Sequence, residues 1–157
     1  MSAQPLVTCR IDLPGGSLSR AAKRIREASL TDLTYRFPLG TVVIEGGVVV
    51  LSVEDVTVFD FARGMLYALK DLEKDGEAEY EFTEGEGSLL MSVDSKHMVR
   101  MTADFDDGTI VCDYEQLSAA VRGCGRSLLD VITASSPEAL RNPHIAELAA
   151  SLEYQSH

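Results

Sequence analysis

Residues 71–82, DLEKDGEAEYEF, come closer than the rest of the chain to a motif with a defined chemistry. Six of them match a calcium-binding EF-hand loop at its first, third, fifth, sixth, seventh and ninth positions: Asp71, Glu73, Asp75, Gly76, Glu77 and Glu79. That loop closes on a glutamate at its twelfth position, and the twelfth residue here is Phe82. Residues 77–83 also alternate like a strand, whereas an EF-hand continues into a helix. We therefore predict a helix end, a glycine cap and a strand with one acidic face.

A second acidic segment, DFDDGTIVCDYE at residues 104–115, has a glutamate at the twelfth position of the same loop but its glycine at the fifth. Asp107 and Gly108 suit a hairpin turn, because left-handed backbone angles are easy for glycine and tolerable for aspartate. We predict a hairpin, which places Asp104, Asp106 and Asp107 at or beside its turn.

The sequence contains no motif of a known catalytic class, since GxSxG, P-loop and HExxH patterns are all missing. Its three histidines are scattered, and its three cysteines, Cys9, Cys112 and Cys124, show no CxxC spacing. We predict buried, reduced thiols, and a half-buried His97 at the start of a strand. No catalytic residue, metal or cofactor is predicted.

Composition is that of one globular domain, residues 1–157, with 45% hydrophobic residues and 25% charged residues. No apolar run reaches the roughly 18 residues of a membrane span, and no leader pattern opens the chain, so we expect a cytoplasmic protein. The net charge is -11, and residues 37–157 hold 22 acidic against eight basic side chains. Such a surface repels nucleic acid and attracts basic proteins.

Hydrophobic periodicity predicts an α+β fold with an antiparallel sheet of about five to seven strands and helices packed on one face. The predicted strands are LVTCRIDL, LTYRF, the hairpin TVVIEGGVVVLSV with a two-glycine turn, EAEYEFTE, SLLMSVD, KHMVRMTADF and TIVCDY. The predicted helices are SLSRAAKRIREA with Ser17 as N-cap, the helix after Thr57, the helix after Asp113, and two short C-terminal segments that begin at Ser-Pro and Asn-Pro. Thr57 with Asp60, and Asp113 with Gln116, are predicted to cap the two long helices.

The strand EAEYEFTE places Glu77, Glu79 and Glu81 on one face, about 7 Å apart, where they repel one another. Two explanations account for such a stripe. It protects an edge strand from aggregation, or it binds a basic partner.

In layout the chain resembles small bacterial α+β proteins of the immunity-protein type, which accompany polymorphic toxins. The resemblance is carried by a hairpin, a helix and an acidic strand, VVIEGGVVVLSVEDVTVFDFARGMLYALKDLEKDGEAEYEF, followed by a meander and the helix YEQLSAAVRGCGRSLLDVI. It implies a non-enzymatic acidic protein that masks a basic partner such as a toxin nuclease.

We therefore predict a protein-binding domain whose partner-binding residues are Glu77, Glu79, Glu81, Asp104, Asp106 and Asp107. Two alternatives stay open. The first is an enzyme or small-ligand binder with a pocket between sheet and helices that uses His97, Cys112 or Arg100. The second is a self-associating scaffold, since Leu90 and Val111 are apolar on the face that alternation predicts to be outward.

Overall fold

The structure is a computed structural model, and it describes residues 7–14, 24–83 and 87–155. Runs of strands and runs of helices follow one another along the described chain, which is an α+β arrangement. In chain order the elements are β1 (Val7–Asp12), α1 (residues 24–27), α2 (Leu30–Tyr35), β2 (Leu39–Gly46), β3 (Val49–Thr57), α3 (Val58–Asp75), β4 (Glu77–Glu81), β5 (Ser88–Val93), β6 (Met98–Ala103), β7 (Asp106–Asp113), α4 (Tyr114–Ser135), a 3₁₀ helix (Pro137–Arg141) and α5 (Pro143–Ser151). The predicted N-cap Ser17 lies outside the described residues.

The strands form two antiparallel sheets, where we had predicted one. The first sheet has the order β1-β2-β3 and the second has the order β4-β5-β6-β7. The division arises because β3 runs directly into α3, so the chain leaves the first sheet through a helix and starts a new meander after Gly76. The two sheets meet through side chains, and no hydrogen-bonded ladder joins them among the described residues. Gly46 approaches Ile110 so closely that a Cβ on Gly46 would lie 2.5 Å from Ile110 Cγ2. In the same way, a Cβ on Gly108 would lie 2.6 Å from Val49 Cγ1.

The core is built on the apolar stripes of α3 and α4. The α3 stripe is buried as predicted: Val58, Ala62, Met65, Leu66, Leu69 and Leu72. On α4 the predicted positions from Leu117 to Ile132 are largely buried, but Val131 is exposed because the buried stripe continues through Leu129. Helix α3 packs against β4 and α4, and α4 packs against β1. Each sheet thus packs against one of the two long helices, through β1 on α4 and through β4 on α3.

The segment LTYRF is helical over most of its length, and its prediction as a strand is wrong. Ser29 caps α2 through a reciprocal pair: its hydroxyl accepts from the Asp32 amide at 3.1 Å, and the Asp32 carboxylate accepts from the Ser29 amide at 3.3 Å. This capping box fixes the first helical turn locally. Leu33 is then buried on one helix face.

Both predicted hairpins form, with turns displaced from their predicted positions. The β2–β3 turn is Gly47-Val48, one residue later than the glycine pair, because Gly46 pairs with Val49 in the ladder. The β6–β7 turn is residues 104–105, because Ala103 pairs with Asp106. Asp107 and Gly108 belong to β7 at an irregularity in its register, so they do not form the turn as predicted.

The predicted helix caps are confirmed in part. Asp113 caps α4 by accepting from the Glu115 amide at 2.8 Å, whereas Gln116 has a buried Oε1 with no hydrogen-bond partner among the described residues. Thr57 makes no cap bond to α3, since its hydroxyl donates to the Thr34 carbonyl at 2.7 Å. Both predicted C-terminal segments form at their prolines, as the 3₁₀ helix and α5.

Candidate functional site

The acidic strand β4 owes its position to the end of α3. Gly76 adopts a left-handed conformation with φ 77° and donates its amide to the Leu72 carbonyl at 3.0 Å, which closes the helix as predicted. The chain then reverses into β4, where Tyr80 points inward and the glutamates point outward. The Tyr80 ring contacts Phe61 and Phe82 edge-on, with ring centroids 5.4 Å and 5.1 Å away. Burial of this one ring therefore fixes which face of β4 carries the carboxylates.

A buried polar contact also ties β4 to α3. The Tyr80 hydroxyl donates to Asp60 Oδ2 at 2.8 Å. Burial raises the pKa of the Asp60 carboxyl above its ordinary value, although the hydrogen bond from Tyr80 and the charge of Arg63 oppose the change. Burial and the Asp60 charge also raise the pKa of Tyr80. The phenol is therefore a fixed donor that holds the strand in register with the helix.

β4 is an edge strand of the second sheet, and its outer backbone edge is unpaired within the described residues. The Val93 amide donates to Gly76 and the Phe82 amide donates to Gly87, both at 2.9 Å. In an antiparallel ladder, hydrogen-bonded and non-hydrogen-bonded pairs alternate, so Ala78 and Tyr80 bond to β5. The amides and carbonyls of Glu77, Glu79 and Glu81 consequently point away from β5, toward the open edge.

The three glutamates combine that open backbone with unpaired charge. All three side chains are exposed. Ion pairs occur elsewhere in the described chain, for example Arg10 with Glu45 at 3.0 Å and Arg26 with Glu138 at 2.7 Å, but none of them involves these glutamates. Alternate residues of a strand lie about 7 Å apart. A row of carboxylates at that spacing suits an opposing strand whose alternate residues are cationic.

A concave surface of about 650 Å³ opens beside this row. Carboxylates from the last turn of α3 and from β4 line one part of it: Asp71, Asp75, Glu77 and Glu79. Leu90 and Thr102 of the neighbouring strands line another part, with Arg100. Because Asp71 and Asp75 face the negative end of the helix dipole, their placement costs stability. In the sequence both residues match positions of an EF-hand loop, and nothing in the pattern places them beside the acidic strand.

The three predicted aspartates do not all join this surface. Asp104 accepts from the Ser88 amide at 2.8 Å, and Ser88 pairs with Glu81, so Asp104 lies at the same end of the sheet as Glu81. Asp106 and Asp107 lie on β7, at the opposite edge of the sheet. There the Asp106 carboxylate accepts from the Gly108 amide at 2.7 Å, a local turn contact. The structure therefore groups Asp104 with the acidic strand and separates Asp106 and Asp107 from it.

The residues named for an enzymatic pocket do not converge. His97 lies in the turn before β6 with φ 62° and is exposed, so its prediction as a half-buried strand residue is wrong. Cys112 is buried, with 1% of its surface accessible, on the inner face of β7. Arg100 alternates with the buried Val99 and Met101 and therefore points outward. The three groups therefore lie on a turn, on the inner face and on the outer face of the second sheet.

The outer face of the second sheet carries exposed apolar side chains, as the scaffold alternative requires. Leu90 is 44% exposed and Val111 is 43% exposed. They lie on β5 and β7, and the β6 residues between them in the register are polar, Thr102 opposite Leu90 and Arg100 opposite Val111. The two side chains therefore do not form one continuous apolar patch.

Comparisons of the chain with protein-family models, with curated proteins and with solved structures find no match. Within the described residues, no cluster of His, Cys, Asp and Glu has the geometry of a metal site. No helix among them has the length and hydropathy that a membrane crossing needs.

Proposed function

We propose that this chain is a non-enzymatic binding protein whose β4 edge pairs with an extended, basic segment of a partner protein. One observation carries the proposal. Glu77, Glu79 and Glu81 present unpaired carboxylates on one face and unpaired backbone groups along one edge, at the same three positions. An added strand uses backbone hydrogen bonds for affinity and its alternate side chains for specificity.

The concavity beside β4 supplies a place for a cationic side chain of that segment. A lysine or arginine at a position opposite Glu79 would reach the carboxylates of Asp71 and Asp75, which line the same concavity. The stem of such a side chain would lie on the exposed Leu90. Electrostatic attraction from a chain of net charge -11 would speed the encounter.

In biological terms we propose a cytoplasmic protein of the immunity type that masks a basic toxin, as the resemblance in layout implies. The acidic edge suits a nuclease partner, because a surface that binds nucleic acid is itself basic. Asp104 extends the site at the Glu81 end, whereas Asp106 and Asp107 are not part of the proposed contact.

The proposal is tested with a fluorescently labelled ten-residue peptide in which lysine alternates with valine, titrated with the protein at low and high salt. We expect saturable binding that weakens as salt rises. Reversing the stripe as Glu77→Lys, Glu79→Lys and Glu81→Lys should abolish it. A peptide in which glutamate replaces every lysine should not bind.

The matched control reverses three exposed acidic residues away from β4, as Glu27→Lys, Glu54→Lys and Glu153→Lys. This control changes the net charge by the same amount as the β4 variant. A greater loss of peptide binding in the β4 variant therefore places the binding site at β4. Equal losses in the two triple variants, or binding that ignores salt, would refute the β4 assignment.

The natural partner is sought by affinity capture of the tagged chain from its host at low and high salt, with mass spectrometry of the retained proteins. The proposal expects a basic protein that salt releases and that the β4 triple variant fails to retain. Retention of the same protein by both variants would place the interface elsewhere.

A further inference from the structure

A second concave surface lies between α3, α4 and α5 and has the opposite electrostatic character. It is a cleft of about 190 Å³, and three of the four charged residues that line it are cations. The chemically active side chains are Arg63, Tyr67 and Lys70 on α3, Arg122 on α4, and His144 and Glu147 on α5. In a chain of net charge -11, such a grouping of cations needs an explanation of its own.

The α3 residues form one polar face around an aromatic ring. Arg63, Tyr67 and Lys70 are four and three residues apart, so they lie on the same side of the helix. The Arg63 guanidinium carbon lies 5.4 Å from the Tyr67 ring centroid, and the Lys70 ammonium nitrogen lies 5.6 Å from it. Tyr67 is 48% exposed, so the ring positions both cations at the cleft without being buried itself.

Arg122 is held from the other side of the cleft. Its Nε donates to the Ser118 hydroxyl at 3.3 Å, and its Nη1 donates to the Ser151 carbonyl at 3.4 Å. The contact with Ser151 joins α4 to the end of α5. Nη2 has no hydrogen-bond partner among the described residues. A guanidinium fixed in this way is prepared to bind an oxygen anion.

The cations of the cleft lack close carboxylate partners among the described residues, although the charge of Arg63 acts on Asp60. None of Arg63, Lys70 and Arg122 forms an ion pair with a carboxylate in the described part of the chain, whereas Arg10, Arg26, Arg36 and Arg141 all do. Glu147 is the one carboxylate among the described residues that line the cleft. Three cations against one carboxylate match the charge of about -2 that a phosphate monoester carries at neutral pH.

We infer that this cleft binds a small organic phosphate monoester. The phosphoryl group lies between Lys70, Arg63 and Arg122, and the organic part lies along Tyr67. The volume of 190 Å³ equals about six water molecules at roughly 30 Å³ each, which admits a phosphoryl group and a few further atoms. The site is distinct from the acidic edge, so a phosphate ligand and a basic partner do not compete for the same residues.

The test uses phenyl phosphate as the probe, with phenol and inorganic phosphate as reference ligands, and follows amide and side-chain NMR signals of the full chain. We expect saturable shifts at Tyr67, Arg122 and His144, with a Kd below about 1 mM, whereas phenol gives none. Lys70→Gln and Arg122→Gln should each weaken binding by about tenfold. Absence of saturation at about 10 mM phenyl phosphate would overturn the inference.

Two charge controls make the test specific to the cleft. Lys74→Gln removes a cation from the same helix outside the cleft and should leave the Kd within about twofold. Glu147→Gln removes the opposing carboxylate and should tighten binding severalfold, whereas Glu79→Gln, which changes the net charge equally, should not. Equal effects inside and outside the cleft would show diffuse attraction only and would also overturn the inference. Thermal unfolding of each variant confirms that it is folded before the titration is interpreted.

Discussion

At the scale of single residues, the contact between Tyr80 and Asp60 decides how β4 meets the rest of the protein. Asp60 lies in the first turn of α3, where a negative charge is favourable, yet its carboxylate is half-buried. Tyr80 satisfies one carboxylate oxygen at 2.8 Å. Burial raises the pKa of Asp60 and the hydrogen bond from Tyr80 lowers it, and burial has the larger effect.

The raised pKa of Asp60 predicts that its contribution to stability declines as pH rises. Below the ordinary aspartate pKa of about 4, the carboxyl is protonated in both the folded and the unfolded chain and contributes no pH dependence. Above it, the unfolded chain loses the proton first, so the free energy of unfolding falls until the folded pKa is passed. The Asp60→Asn variant should lack this decline.

The measurement is the free energy of unfolding in urea from pH 3.5 to pH 7, taken as the difference between wild type and Asp60→Asn so that the other carboxylates cancel. Tyr80→Phe removes a hydrogen bond that lowers the Asp60 pKa in the folded protein, so the decline should begin at the same pH but extend to higher pH. If the difference in unfolding free energy between wild type and Asp60→Asn does not change with pH, burial does not raise the pKa of Asp60.

At the scale of elements, local patterns predicted those segments in which a single face meets the core. The two-residue alternation of EAEYE and the α3 stripe both survive in the structure. The strand prediction for LTYRF was wrong because its short apolar pattern fits a strand, whereas the decisive signal was the pair of Ser29 and Asp32 just before it. Turn positions shifted because register follows ladder pairing, which no local window contains.

Two helical glycines provide a matched test of the contact between α3 and β4. A Cβ on Gly64 would overlap the Tyr80 ring, whereas a Cβ on Gly123 would meet no atom within 4 Å. Alanine gains about 1 kcal/mol over glycine in a helix interior. Gly123→Ala should therefore stabilise the protein by up to about 1 kcal/mol. Gly64→Ala should destabilise it by about 1–2 kcal/mol, because the buried ring is held on several sides.

Urea unfolding of both variants measures the two effects under identical conditions. Displacement of Tyr80 should also disturb β4, so Gly64→Ala should weaken binding of the lysine-valine peptide, and Gly123→Ala should not. Stabilisation by both substitutions would mean that β4 moves freely against α3. The acidic row would then have no fixed geometry.

At the scale of the whole molecule, composition indicated an excess of acidic side chains but could not place them in the fold. The charge asymmetry and the stripe of Glu77, Glu79 and Glu81 were visible in the sequence, and their exposure follows from alternation. Their place at a sheet edge depends on strand order, and the grouping with Asp71 and Asp75 depends on the angle at Gly76. The cationic cleft was not predicted, because its residues are distributed between positions 63 and 147.

Strand order is compatible with both explanations of the acidic stripe, because an open edge that binds a partner can equally bind a second copy of itself. We predict that Glu77→Gln, Glu79→Gln and Glu81→Gln together make the protein self-associate through β4. Neutralisation removes the repulsion between two like-charged edges and leaves the backbone groups free. Sedimentation velocity over a range of concentrations should show a steeper increase in mass for the variant than for wild type.

A proline provides the control for this prediction, because the Glu79 amide points to the open edge and not to β5. Glu79→Pro, combined with Glu77→Gln and Glu81→Gln, keeps the ladder with β5 but removes a donor that an added strand requires. This variant should self-associate no more than wild type does, and it should also fail to bind the lysine-valine peptide. If the glutamine variant stays monomeric, the carboxylates are not needed to keep copies apart, and attraction of a basic partner is left as the reason for their row.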